Sequence, residues 1–197
     1  MPTAFEKELV TLAHRLADLC ALTASAFEEA SRSLLENGCT LGEHAAAAAA
    51  LGAACEDQAC ALLALHAPHE ADVKAVVAAV HTAADLTRMG GLAAELAGRV
   101  PADARPAFAR LGAHAVTAAR ELRRILAEPG ADSGLDDAVA EVEAAERELR
   151  VWAGGRDRPY GTGAAVEVVL LAAVYGRFAA TAAAIARRVR GFAPVSA

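Results

Sequence analysis

The stretch Asp85-Leu86-Thr87-Arg88-Met89-Gly90-Gly91 has an echo 89 positions later, around Tyr175-Gly176-Arg177-Phe178-Ala179-Ala180. Laid over each other, the two segments match Val77 with Val166, Val80 with Val169, Arg88 with Arg177, Ala97 with Ala186 and Val100 with Val189. A repeat of this period constrains the fold before any single helix is placed, because it sets the number of units. The chain reads as two related halves, 1–100 and 101–197, each closing on an equivalent helix.

What those halves are made of follows from residue type. Hydrophobic residues make up 55% of the 197, but aromatics only 4%, so the core is alanine, leucine and valine. Alanine has the highest helix propensity, with leucine, glutamate and arginine close behind. No segment alternates strictly between apolar and polar, as a half-buried strand would. The expected class is all-α. Alanine also lets helix axes approach closely, which favours long antiparallel bundles.

Turn formers divide the chain into six helical segments. The first spans about 3–36, with Leu9, Leu12, Leu16 and Leu19 recurring at three- and four-residue steps, and ends at Asn37-Gly38. The second spans about 41–65 and stops at Ala67-Pro68; its six alanines, Ala45 to Ala50, make a smooth contact face. The third starts after Pro68, with Glu70 and Asp72 suiting the positive end of the helix dipole, and reaches about Ala97. Gly98 to Pro106 links the halves. Three further helices follow at about 106–127, 134–152 and 164–190, separated by Pro129-Gly130 and the loop Gly154 to Gly163. The expected architecture is two tandem antiparallel three-helix bundles.

Charge and cysteine usage narrow the function classes. The formal net charge is −6, which argues against a nucleic-acid binder with its basic face. The local clusters Arg120, Arg123, Arg124 and Arg187, Arg188, Arg190 fall near helix C-termini, where cations favour the dipole. A docking patch for an acidic partner is the alternative reading. Met1 to Val10 carries Glu6, Lys7 and Glu8, so no leader is expected there, and Glu167 and Arg177 interrupt the apolar stretch Gly163 to Ala186. A cytoplasmic protein without membrane insertion is expected. Cys20, Cys39, Cys55 and Cys60 lack zinc-site spacing and read as small core residues.

The motif residues and their placement resemble the PhoU family, helical regulators of bacterial phosphate uptake built from two tandem three-helix bundles. The family's third and sixth helices carry a signature close to D-L-E-R-I-G-D, which is here Asp85-Leu86-Thr87-Arg88-Met89-Gly90-Gly91. Pro68 and Asp72 sit where the family has its P-x-x-x-D-L-R entry. Leu12, Arg15, Leu16 and Leu19 before Cys20 are similar to the actinobacterial branch.

In that family an acid followed four residues later by aspartate places two carboxylates on one helix face, a pairing suited to hard metal ions. The equivalent positions here are Thr87 and Gly91 in one half, Gly176 and Ala180 in the other. All four carboxylates are missing together, so no bound metal or other cofactor is expected. A reduced metal site from His81, Asp85 and Glu56 is the competing reading; the bland one pairs Asp85 with Arg88 across one turn. His81 and Asp85 correspond to Leu170 and Val174 in the second half, so such a site would have kept one half only. His66 and His69 flank Pro68 without a third ligand.

Arg88 and Arg177 are the motif's most faithful survivors, and an unpaired buried arginine is costly. Each therefore either snorkels to solvent or backbone carbonyls, or receives an anion or a partner's carboxylate. No phosphate loop and no nucleophile elbow is present, so the chain does not read as an enzyme. The resemblance implies a protein-binding adaptor between the ATPase subunit of a phosphate ABC transporter and a phosphate-sensing histidine kinase. It also implies a possible homodimer. The acidic run Asp136 to Glu148 is either a docking surface or a solvated face. Two other readings stand beside this one: a diverged structural or dimerising protein of the same fold, and a metal-binding bundle.

Overall fold

A computed structural model describes residues 3–36, 43–65, 69–128, 130–155 and 161–192. Among the described residues six α-helices follow in order: α1 (Ala4–Glu36), α2 (Glu43–Leu65), α3 (Glu70–Gly91), α4 (Arg105–Ala127), α5 (Leu135–Gly154) and α6 (Thr162–Phe192). Among the described residues there is no strand. The boundaries expected at Asn37-Gly38 and Pro68, together with His66, Cys39 and Pro129, lie outside the described residues.

Local chemistry accounts for several ends. Thr3 and Glu6 cap α1 reciprocally: the Glu6 amide donates to Thr3 Oγ1 at 3.1 Å, and the Thr3 amide donates to the Glu6 carboxylate. The His69 amide donates to Asp72 Oδ2 at 3.2 Å at the start of α3. Pro106 occupies the first turn of α4, where its missing N–H costs nothing. The third helix ends earlier than its pattern suggests. After Gly90-Gly91, both poor helix formers, the backbone tightens into a 3-10 turn at Leu92–Glu95.

Helices α1, α2 and α3 pack on one another, as do α4, α5 and α6, and the two bundles meet along α1 against α4 and α3 against α6. Each helix pairing within one half thus has its counterpart in the other, as the repeat requires. The α1/α4 seam is close. Cys20 Sγ lies 3.3 Å from the Ala119 carbonyl, and a Cβ on Gly112 would sit 3.4 Å from that of Ser31. Between α1, α4 and α6 four of the aromatics gather. Phe27 stacks on Phe178 with centroids 3.9 Å apart, and Tyr175 meets Phe27 edge-on at 5.2 Å and Phe108 at 5.9 Å.

One apolar cluster runs from Phe5 and Leu12 through Phe27 and Leu122 to Tyr175 and Ile185, without a break between the halves. Helices α2 and α6 are both long and apolar enough to span a membrane by length and composition alone. In this fold α6 is a core helix, with Val168, Tyr175, Phe178, Ala182 and Ile185 buried. By contrast, α2 buries only one thin stripe, Ala48, Gly52, Cys55, Ala59 and Leu62.

Candidate functional site: the cleft between α3 and α6

The two degenerate motifs face each other. Helices α3 and α6 run antiparallel, since Asp85 in α3 pairs with Arg188 late in α6, while Glu95 beyond α3 pairs with Arg177 earlier in α6. Between them lies an open cleft of about 740 Å³. Arg88 and Glu95 line one side, Arg177 and Thr181 the other, and Gly91 and Ala180 lie across from each other on its walls. The sequence repeat therefore becomes a spatial pairing, with residues 89 positions apart on opposite sides of one groove.

Both motif arginines have partners. Arg88 Nη1 donates to Asp85 Oδ1 at 2.6 Å across one turn, and Arg177 donates to the Glu95 carboxylate across the bundle seam. Their side chains are 71% and 54% exposed, so neither is the buried cation that would need a compensating charge. Asp85 is different: its side chain is only 15% exposed and it also meets Arg188 at 2.8 Å. Asp85 thus ties α3 to α6, with two guanidinium groups on one carboxylate. A second tie lies nearby, where the Arg99 amide donates to Glu167 Oε1 at 2.8 Å.

Two of the four lost-carboxylate positions point into the bundles instead. Thr87 lies against Gly52 of α2, so closely that a Cβ on Gly52 would overlap the Thr87 hydroxyl. In the other half the roles are exchanged. Gly176 on α6 leaves room for Glu146 of α5, whose carboxylate oxygen would be 2.5 Å from a Gly176 Cβ. Glu146 is buried and accepts a hydrogen bond from Arg150 one turn on. In each half one member of the pair is glycine, and the partner side chain fills the space.

His81 is exposed on α3, Asp85 is committed to its two arginines, and Glu56 is half-buried on α2. Among the described residues, no three His, Cys, Asp or Glu side chains gather as a metal ion would need. His44 pairs with Glu29 at 2.7 Å. Cys20 and Cys55 are buried and Cys60 is exposed, all as free thiols.

Within the basic clusters Arg120 reaches Glu28, Arg124 reaches Glu121, Arg188 reaches Asp85 and Arg190 donates to Ser133. On α5 four acids of the run are paired, Asp136 with Arg190, Glu143 with Arg147, Glu146 with Arg150 and Glu148 with Arg110. Sequence reasoning did not anticipate Glu95, Arg188, Glu146 or Glu167 as partners. For Glu95 and Glu167 the only signal was the repeat itself, since they meet Ala184 and Ala78 at the 89-residue offset; Glu146 meets Asp57 and Arg188 meets Arg99, so the offset marks neither.

No family model matches the chain. Curated relatives do. The phosphate-specific transport system accessory protein PhoU homolog 2 of Mycobacterium tuberculosis and that of Mycobacterium bovis are each 33% identical over a 207-position alignment covering 96% of both chains. PhoU homolog 1 of Mycobacterium leprae is 32% identical, with 96% of this chain and 92% of the relative covered. The crystal structure of PhoU from Pseudomonas aeruginosa superposes with a TM-score of 0.78 at 19% identity, covering 95% of this chain and 98% of that one. The PhoU phosphate transport system regulatory protein from Streptococcus pneumoniae superposes at 0.63, with 17% identity and 95% and 92% covered. With its tandem bundles, paired motif helices and end-to-end similarity to these relatives, the chain belongs to the PhoU family.

Proposed function

We propose that this protein is a cytoplasmic accessory regulator of phosphate uptake that acts by binding other proteins and not by catalysis. Its partners are the ATPase subunit of a phosphate ABC transporter and a phosphate-sensing histidine kinase, and it restrains uptake and starvation signalling when phosphate is plentiful. The observation that carries this reading is the similarity to accessory proteins over 96% of both chains. The α3/α6 cleft supplies a physical means. It keeps both motif arginines exposed at a groove built from both halves, where they can meet carboxylates of a partner.

Calorimetric titration of the purified, metal-free protein with each partner from the same organism tests the proposal. Dissociation constants in the micromolar range or below are expected. A folded protein that binds neither partner would instead support a diverged structural or dimerising role, a reading favoured by the loss of all four motif carboxylates at Thr87, Gly91, Gly176 and Ala180.

A further inference from the structure

We propose that the α3/α6 face is a docking surface for a two-fold symmetric protein partner, each of whose subunits offers a carboxylate to Arg88 or Arg177 and an apolar side chain to the valine behind it. The inference rests on the accessory role proposed above and adds the symmetry and chemistry of the partner.

The antiparallel α3/α6 pair has a pseudo-two-fold relation. Leu92 and Thr181, themselves 89 positions apart, both line the cleft, and the two motif helices lead away from it in opposite directions. What repeats on the exposed side is the set a partner would touch. Arg88 matches Arg177 and Gly91 matches Ala180, all exposed, and Val77 matches Val166, 43% and 52% exposed. Val77 and Arg88 are eleven residues apart, as are Val166 and Arg177, which is three helical turns and places each valine on the same face as its arginine, about 16 Å away. Leu170, 64% exposed, extends the apolar strip on α6.

What does not repeat is the set of internal partners. Asp85 and Glu95 correspond to Val174 and Ala184, so the acids serve the fold's own seam while the cations and valines keep the symmetry. Arg88 and Arg177 line the cleft with Asp85 and Glu95, and Arg188, paired to Asp85 beside it, brings the local balance to three guanidinium groups against two carboxylates, in a chain whose formal net charge is −6. That surplus selects acidic groups. The pairs Arg88–Asp85 and Arg177–Glu95 are solvent-exposed on the arginine side and weakly held, so an incoming carboxylate can take over either guanidinium. A partner without two-fold symmetry would engage one arm; a two-fold one engages both at once.

The test uses the intact phosphate transporter of the same organism in nanodiscs, whose two ATPase subunits are two-fold related. Binding is read by biolayer interferometry and stoichiometry by native mass spectrometry. One chain per transporter is expected. Arg88→Glu and Arg177→Glu should each weaken binding at least tenfold and by similar factors, Val77→Asp and Val166→Asp likewise, and the double arginine variant should abolish it. Arg147→Glu on the outer face of α5 should leave affinity unchanged, with circular dichroism confirming that every variant folds. Two chains per transporter would overturn the inference, as would a variant pair in which one arginine matters and the other does not. Binding that ignores both arginines overturns only this inference. If the unaltered chain binds neither transporter nor kinase, the functional reading falls with it.

Discussion

Gly176 and Glu146 share one space: the Glu146 carboxylate occupies the volume that any side chain at Gly176 would need, with 2.5 Å between its oxygen and the position of a Cβ. The first half solves the same contact the other way round, with Thr87 on the third helix and Gly52 on the second. In each half the side chain across from the glycine fills the contact. At Gly176 the carboxylate of Glu146 on α5 fills the space, and a glutamate placed there would collide with it, whereas a Cβ on the exposed Gly91 would meet nothing within 4 Å.

Gly176→Glu should accordingly destabilise the protein by about 2 to 4 kcal/mol, through overpacking and like charges at a buried position. Gly176→Ala should be far milder, because the end of a glutamate can shift and alanine is the better helix former by roughly 0.5 to 1 kcal/mol. The cycle with Glu146→Ala identifies the contact: on that background Gly176→Ala should turn stabilising. Urea denaturation of the four proteins measures the coupling, and purely additive effects would show that the two residues do not compete.

The exchange between Gly176 and Glu146 was not legible in the sequence, whereas the tandem bundles and the six helices were; that the two motifs face each other was not. The repeat offset and the turn formers are local and periodic signals, so they survive without coordinates. The partner of Gly176 depends on the register of α5 against α6, which no periodicity encodes. The same holds for Glu95, expected inside a continuous helix and found in a 3-10 turn, where it reaches Arg177. Arg188 is a further case. It reads as a helix C-terminal cation, yet it crosses the seam to Asp85.

Asp85 and Arg88 form one ion pair but should respond unequally to removal. Arg88→Ala strips a largely exposed side chain and should cost under about 0.5 kcal/mol. Asp85→Ala leaves Arg188, only 28% exposed, without its carboxylate at the seam, and should cost about 2 kcal/mol. For a chain of this size that corresponds to a fall in Tm of roughly 4 to 8 °C. Equal, small effects in a thermal scan would mean that Asp85 does not tie the bundles together.

Alkaline pH should weaken the fold through two buried groups. Burial pushes the Cys20 thiol from 9.0 to about 12, with Arg123 drawing it partly back. Burial likewise pushes the Tyr175 phenol from 10.0 to about 12, against a smaller opposite pull from Ser31. Both are held protonated in the fold, so the unfolded chain gives up its protons first. Their stabilisation is complete below about pH 9 and is lost as pH rises towards 12. Ser31 spends its own proton on the Phe27 carbonyl, 2.8 Å away, so Tyr175→Phe should cost under about 1 kcal/mol at pH 7. That variant should also lose less stability than the parent between pH 10 and 12. An unchanged pH profile would place the alkaline transition elsewhere.

Phe27 sits where the halves meet, stacked on Phe178 and edge-on to Tyr175, inside an apolar cluster that does not divide at residue 100. The two three-helix bundles are then related in structure but should not unfold separately. Calorimetry should show one cooperative transition for the whole chain. Phe27→Ala should lower stability by about 3 to 5 kcal/mol, from lost burial and the cavity left among three helices. Because Phe178 and Tyr175 belong to the second half, the loss should appear equally in probes of both halves, such as hydrogen exchange at Leu62 of α2 and Val142 of α5. Protection lost in α2 but retained in α5 would mean that each bundle holds its own core, and that the aromatic cluster only joins them.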